Sequence, residues 1–310
     1  MLHKLYSIIR WKELSVRVGT CPICGISVLV KVSNSYIGLR CIRCAGSGVH
    51  LAMAKLLCDK RFSLGDARVY ELSARGPLVD FLRRKAHSLT CSEYFEQVER
   101  GAWVDGVQCQ DVQDLTYPDE FFDLCTSTEV FEHVPDDRRG FKELFRVLRP
   151  GGHLIFTVPL SSAPKTVERA TLTEGGIRHI LPAEYHGDRQ RGFRGVLVYR
   201  DYGRDVCERL LDAGFASARI LSPPPNEWWG LGGNIVIGQK DLQKGFIDLK
   251  KLPTKIHDAW LIKPKIFGDA RGFFLESWNR ETFREIGLDL DFLQDNHSGS
   301  SKNRASVRLP

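Results

Sequence analysis

No stretch of this 310-residue chain approaches the eighteen or so consecutive apolar residues that a membrane-spanning helix needs. The opening segment, MLHKLYSIIRWKEL, breaks its only apolar run at Arg10 and Lys12 and offers no small-residue cleavage site, so it does not read as a signal peptide. A cytoplasmic protein is the expectation. There is no internal repeat and no low-complexity tract, which excludes a solenoid or a disordered linker protein. There is no block of one charge either. The 44 basic and 38 acidic residues are interleaved, and the net charge of +6 gives little argument for an acidic partner. What is present is the ordinary composition of a globular protein, 43% hydrophobic and 26% charged, in a chain long enough for one full α/β domain and smaller attachments.

Nine cysteines are the first specific signal. Cys58, Cys91, Cys109, Cys125 and Cys207 are scattered singly and are expected to be core filler. The other four form two pairs, Cys21-Pro-Ile-Cys24 and Cys41-Ile-Arg-Cys44. Each pair puts two thiolates on a tight turn, and the sixteen residues between them suit a β-hairpin that brings the turns together. Gly25 supplies the left-handed conformation such knuckles favour. An all-sulfur tetrahedral cage leaves no open ligand position, so the expected ion is a structural Zn²⁺ without a role in chemistry.

Composition divides the chain into a zinc ribbon with a linker helix at 1–62, an α/β domain at 63–245, and a linker with a β-rich segment at 246–310. Within the middle part, strand-like runs (ARVYEL, SLTCSE, FDLCTST, HLIFTVP) alternate with helix-like ones (PLVDFLRRKA, RRGFKELFRVL). That alternation implies parallel strands joined by crossover helices, a Rossmann-like doubly wound sheet. Residues 161–196 are polar, basic and weakly periodic, as expected of an excursion over the mouth of the sheet, a candidate substrate lid. GRDVCERLLDAGF, SARILS and GNIVIGQ then read as a late helix and a strand pair. Ligands of such sheets lie at the carboxyl ends of the strands. There the chain offers Glu71, the small positions Ser73, Ala74 and Gly76, then Glu93 for ribose hydroxyls and Asp111 for an adenine amino group.

The blocks DVQDLTYPDEFFDLC (111–125), TEVFEHV (128–134), FKELFRVLRPGG (141–152) and LIFTVP (154–159), in this order, resemble the class I methyltransferases that use S-adenosylmethionine. CPICG with CIRC upstream and LPAEYHGD (181–188) downstream resemble a bacterial subgroup carrying an N-terminal zinc ribbon. The resemblance implies S-adenosyl-L-methionine as cofactor, held by Glu71, Ser73, Gly76, Glu93, Asp111, Val112 and Thr128. One departure stands out: the class has a Gly-x-Gly-x-Gly loop after the first strand, and here Ser73 to Pro77 reads SARGP. Methyl transfer to oxygen or nitrogen needs the acceptor aligned behind the sulfonium methyl and a base for its proton. His186 in the lid and His133 after the fourth strand are the candidate bases, His186 ranked first. The amine-methylating Asn-Pro-Pro-Tyr signature is missing after that strand. Trp228 and Trp229 could stack on a ring substrate, although paired tryptophans more commonly pack a core or rim.

From Thr254 onward, TKIHDAWLIKPKIFGDARGFFLESW followed by DFLQDNHS resembles the N-terminal part of dTDP-4-dehydrorhamnose 3,5-epimerase. By that resemblance Arg271, Glu276, Gln294 and Asn296 match positions that contact the nucleotide-sugar. The family continues with Arg-Gly-Leu-His and most of a jelly-roll (cupin) barrel, whereas this sequence reads NRASVRLP. About fifty-five residues do not close a double-sheet jelly roll, so epimerase activity is expected to be absent. The expected activity is methylation, with oxygen the favoured atom, of a small or glycan-linked acceptor in a surface-polysaccharide context. The competing readings are an RNA methyltransferase, which would show a basic face and steep salt dependence, an epimerase in name by its tail, and a non-catalytic zinc module. Oligomeric state is not legible.

Overall fold

The computed structural model describes residues 14–33, 38–188, 192–222 and 233–241, and in the C-terminal part 250–256, 259–264, 266–269, 272–274, 283 and 286–288. The chain forms two compact units, residues 1–242 and 243–310.

The first unit begins with strands β1 (Ser15–Cys21), β2 (Gly25–Lys31) and β3 (Leu39–Cys41), an antiparallel sheet in the order β1-β2-β3. The hairpin expected between the cysteine pairs is β2 and β3, and the composition had not revealed β1 in front of it. Helix α1 (Gly48–Leu57) follows, then β4 (Arg68–Glu71), α2 (Pro77–Lys85), β5 (Ser88–Glu93), β6 (Trp103–Val104), β7 (Val107–Cys109), β8 (Phe122–Thr128), α3 (Asp137–Val147) and β9 (Leu148–Thr157). α3 starts where the Asp136 carboxylate accepts the Arg139 N–H at 3.0 Å, a side-chain cap for an otherwise orphaned donor. β9 makes its Pro-Gly-Gly bend where a side chain on Gly152 would meet the carbonyl oxygens of Arg149 at 2.8 Å and Asp123 at 3.0 Å.

The polar excursion is built of short antiparallel pairs: β10 (Val167–Glu168) with β15 (Arg200–Asp201), β11 (Ala170–Thr173) with β12 (Gly176–His179), and β13 (Tyr185–Asp188) with β14 (Gly192–Leu197). Its weak periodicity has a physical source, because hairpins lying on a surface have no continuous buried face to impose alternation. α4 (Val206–Asp212), β16 (Ser217–Leu221) and β17 (Ile235–Gln239) complete the unit.

The main sheet runs β16-β17-β9-β8-β4-β5-β7-β6. β9, β8, β4, β5 and β7 are parallel neighbours, and β17 enters antiparallel beside β9. One face packs α1, α2 and the cysteine knuckles in a single core containing Cys21, Cys41, Leu51, Leu57, Val69, Phe81, Ile155 and Ile237. The chain on either side of the 62/63 boundary therefore shares one core. The other face packs α3 and α4 through Phe131, Phe141, Leu144, Phe156, Tyr202 and Leu210. Helices on both faces of a mostly parallel sheet, with a reversed last strand, give the Rossmann-like doubly wound arrangement that the alternating pattern implied. No helix among the described residues is long and apolar enough to cross a membrane.

Of the single cysteines, Cys109 and Cys125 are buried, Cys91 and Cys207 partly so, and Cys58 is exposed and is not core filler. In the second unit, β18 (Lys250–Pro253) pairs with β19 (Trp260–Lys263), and β20 (Phe267–Asp269) with β21 (Gly272–Phe274). The stretch expected to be a linker around Pro253 is thus in part a strand.

Candidate active site

The connection order places β4 between β5 and β8, both parallel to it, and the chain moves outward from β4 in opposite directions to reach them. In doubly wound sheets such a reversal is where ligands bind, at the carboxyl ends of the strands, here those of β4 and β8. Glu71 ends β4 there and is fully buried. Burial pushes its carboxyl up to about 8, helped by the nearby Glu93 charge, while hydrogen bonds from Thr126 and the Ser73 N–H pull the other way. The Thr126 hydroxyl donates to its Oε2 at 2.5 Å from the adjacent strand, where Glu71 and Thr126 are in register. Glu93, at the end of β5, accepts the Ala74 N–H at 3.0 Å, so the second acid holds the loop that follows the first strand. That loop ends at Gly76, with φ of +123° and open space where a Cβ would stand, and Pro77 begins α2. Arg75, in a place where the class has glycine, points to solvent.

Asp111 behaves differently from the other two acids. Its Oδ1 accepts the backbone N–H of Gln113 at 2.9 Å, and both oxygens accept from the Gln113 side-chain amide, at 3.0 and 3.2 Å. Val112 is half-buried against the α3 side of the core. Thr128, at the end of β8, is in register with Thr157 of β9, and the buried hydroxyl oxygens of Ser127, Thr128 and Thr157 make no hydrogen bond. Three unpartnered hydroxyls at one strand edge are unusual in a packed interior and mark a place that a polar ligand would satisfy.

Past Thr128 the chain turns through Glu129, which has φ of +54°, into a 3-10 turn over Phe131–His133. This turn and the lid bring the two candidate bases together. The rings of His133 and His186 meet edge to face with centroids 5.0 Å apart. Between them lies Glu132, only 1% exposed, with its Oε1 3.7 Å from both His133 Nε2 and His186 Nδ1. His133 Nδ1 is 2.8 Å from the Leu197 carbonyl oxygen. His186 Nε2 is 3.6 Å from Glu184 Oε1. The Glu132 contact, with Glu184 and Glu129 near by, raises His186 above the ordinary imidazole range against the effect of its burial.

Glu132 was inside the quoted TEVFEHV block but was not picked out as a site residue. The supporting network was also missed. Arg200, 3% exposed, donates to the carbonyls of Phe131 (3.1 Å), Val134 and Pro135 (2.6 Å), clamping the turn that carries Glu132 and His133. Its Nε donates to Glu168 at 3.0 Å, and Arg209 donates to Glu168 at 2.8 Å and to both oxygens of Asp137 at 2.9 and 3.0 Å. Tyr202 completes the set with a 2.7 Å hydrogen bond to Asp137. Nothing in local sequence joins residues 137, 168, 200 and 209, so no pattern could have shown the network.

The cysteine knuckles form a separate cluster. The four sulfur atoms of Cys21, Cys24, Cys41 and Cys44 lie within 4.8 Å of one another, with 3.7 Å between Cys21 and Cys44 and 3.5 Å between Cys24 and Cys41. A tetrahedral zinc with bonds of about 2.3 Å separates its sulfurs by about 3.8 Å, so the donor set fits that ion. Arg271, Glu276, Gln294, Asn296, Trp228 and Trp229 fall outside the described residues.

Comparison with known proteins agrees with the two-part chain. Residues 45–156 match the model of a methyltransferase domain, and residues 253–308 match that of dTDP-4-dehydrorhamnose 3,5-epimerase. The epimerase of that name from Salmonella typhimurium is 55% identical over 53 residues, 17% of this chain and 29% of the relative. A ubiquinone biosynthesis O-methyltransferase from Coxiella burnetii is 44% identical over 50 residues, 16% of this chain and 21% of the relative. The chain thus spans less than a third of the length of these curated relatives. A solved S-adenosylmethionine-dependent methyltransferase from Mesorhizobium loti superposes with a TM-score of 0.42 at 20% identity, over 63% of this chain and 99% of that one. Residues 45–156 are thus similar to a methyltransferase domain, and residues 253–308 to the dTDP-4-dehydrorhamnose 3,5-epimerase family over part of its length.

Proposed function

We propose that the chain transfers a methyl group from S-adenosylmethionine to a hydroxyl oxygen of a small or glycan-linked acceptor that enters under the lid of β10–β15. The observation that carries this reading is the coincidence, at one edge of the sheet, of the Glu71–Thr126 pair and the Glu93-held loop with the Glu132–His133–His186 cluster. Bound S-adenosylmethionine supplies an electrophilic methyl on a positively charged sulfur. Glu93, Ser73 and Gly76 shape the cradle for its adenosine and amino-acid portions, Thr128 offers an unpartnered hydroxyl, and Val112 an apolar wall. Asp111, tied to Gln113, is the acid whose cofactor contact requires rearrangement of its own loop.

The acceptor oxygen must lie about 3–3.5 Å behind the methyl and in line with the breaking bond. The new O–CH₃ bond forms as the S–CH₃ bond breaks, its electron pair stays on sulfur, and the hydroxyl proton leaves to the polar cluster, with His186 at the lid the residue placed to take it. Oxygen as the atom is supported by the short match to an O-methyltransferase, and a sugar acceptor by the tail that resembles an enzyme of nucleotide-sugar chemistry. The Cys21–Cys24–Cys41–Cys44 set would hold a structural zinc that orders the knuckles on the sheet.

The test is calorimetric titration with S-adenosylmethionine, followed by incubation with methyl-labelled cofactor and a panel of dTDP-sugars and oligosaccharides. Binding should appear, Glu93→Ala should weaken it about tenfold or more by releasing the Ala74 N–H, and label should enter a sugar fraction. Absence of binding, or label entering RNA in place of sugars, would reject the assignment.

A further inference from the structure

We propose that Glu132, His133 and His186 are the protein ligands of a first-row divalent metal ion, bound beside the cofactor crevice and distinct from the four-cysteine site. Their donor atoms lie within 4.8 Å of one another, and Glu132 Oε1 is 3.7 Å from a nitrogen of each ring. An ion with bonds of about 2.1 Å holds neighbouring donors about 3.0–3.4 Å apart, so the cluster has to close by only a few tenths of an ångström along these two edges.

The hydrogen bonding around the cluster makes an ion the physical solution. A carbonyl oxygen accepts only, so His133 Nδ1 carries the proton in its 2.8 Å contact with Leu197 O. In the neutral ring the lone pair of Nε2 then faces the Glu132 carboxylate. That arrangement, Nδ1 on a carbonyl and Nε2 toward a carboxylate, is the one a metal-ligating imidazole adopts. Both Glu132 oxygens are buried with no hydrogen-bond partner within 3.5 Å, so the imidazoles 3.7 Å away are loose partners for a carboxylate whose burial is costly.

The surrounding residues are those a metal site needs. Leu197 O orients one imidazole, and Glu184 Oε1, 3.6 Å from His186 Nε2, stands behind the other, the two standard outer partners of ligating histidines. Glu184 is anchored by Arg169 at 3.0 Å. The Tyr199 N–H donates to the Glu132 carbonyl at 2.8 Å, and Arg200 clamps the turn. Two imidazoles and one carboxylate make a borderline donor set suited to Mn²⁺, Fe²⁺, Co²⁺ or Zn²⁺, with positions left for oxygen ligands.

This inference deepens the proposed function and rests on it for its role. An acceptor hydroxyl bound to the ion loses its proton to water at a lower pH, its oxygen forms the bond to the methyl, and the S–CH₃ electron pair remains on sulfur. His186 is then a ligand and not the base.

The test uses the full chain with its cysteine site loaded with zinc. Mn²⁺ is titrated and followed by electron paramagnetic resonance, and zinc content after dialysis against Zn²⁺ is measured in parallel. One Mn²⁺, or a second Zn²⁺, should bind per chain, and Glu132→Gln and the lid variant His186→Ala should each weaken it about a hundredfold or more. Spin-echo modulation from directly bound imidazole nitrogen should accompany Mn²⁺ binding and diminish in His186→Ala. Calorimetry with S-adenosylmethionine on the same variants checks the fold and separates the two claims, since metal binding is read without turnover. No ion beyond the cysteine site, or equal binding by wild type and His186→Ala, overturns the metal assignment. Loss of methyl transfer in His186→Ala with no metal bound to the wild type would also overturn it, leaving His186 as a base.

Discussion

The two units of the chain relate sequence likeness to packing in opposite ways. The C-terminal unit carries the higher identity, 55% over 53 residues, yet among its described residues only Phe283 is buried, while Leu252, Ile256, Trp260, Leu261 and Ile266 are exposed. Its described strands form two separate two-stranded hairpins, and such pairs are marginal by themselves in water. The N-terminal unit matches a curated methyltransferase over only 50 residues at 44% identity, but closes two continuous cores on an eight-stranded sheet. Dense motifs record where a segment came from. Burial on both faces of a sheet is what lets a segment stand and build a crevice.

The largest test of that contrast is at the ribbon. Cys21 and Cys41 belong to the same core as Val69, Ile155 and Ile237, and Arg84 of α2 donates to the Ile23 carbonyl at 2.9 Å. Structural zinc contributes about 10–16 kcal/mol in isolated fingers. With zinc held by the four cysteines as proposed, Cys41→Ser should lose it and abolish the cooperative melt of the whole N-terminal unit, followed by calorimetry and near-ultraviolet circular dichroism. A variant in which the sheet melts as before would break the claim that the cysteine knuckles and the sheet are one folding unit.

A smaller effect is expected at Glu71. Its carboxyl titrates near 8 in the folded protein, above the ordinary 4.5, so below 4.5 the folded and unfolded states bind the same proton. Between 4.5 and 8 the folded state holds a proton that the unfolded chain has released, and stability falls as pH rises, by a few kcal/mol at about 1.4 kcal/mol per unit. Glu71→Gln should flatten that slope in denaturant titrations at several pH values. A slope unchanged by the substitution would assign the pH dependence to other groups. The smallest effect belongs to the tail: removing residues 243–310 should change the stability of the N-terminal unit by less than about 1 kcal/mol. A larger loss would erase the contrast drawn between the units.

Several of the candidate residues could be placed at strand ends because chemistry and position coincide in local sequence. Glu71 and Glu93 end strands whose apolar runs are visible, and Glu93 indeed holds the following loop through Ala74. The paired cysteines announce themselves by spacing, and the structure gathers their sulfurs. At Asp111 a strand end fixes where the side chain emerges, and the neighbouring Gln113 supplies contacts that the strand pattern does not show. His133 and His186 were chosen separately as alternative bases, and their meeting around Glu132 was not legible. Glu132 looks in sequence like any acid in a turn, and its burial depends on lid strands more than fifty residues away.

By itself, the sequence determined the alternation of strands and helices in the main sheet, its doubly wound class, the four-sulfur cluster and the likeness of each part to a family. Those depend on periodicity and spacing, which are local. Tertiary structure alone decided that the cysteine knuckles share the core of the sheet, that Arg200 and Arg209 lock the turn after β8 to Glu168 of β10, and that a buried carboxylate stands between two imidazoles. The reason is that charges buried without water must find partners wherever the fold brings them, and that pairing obeys distance in space, not separation along the chain.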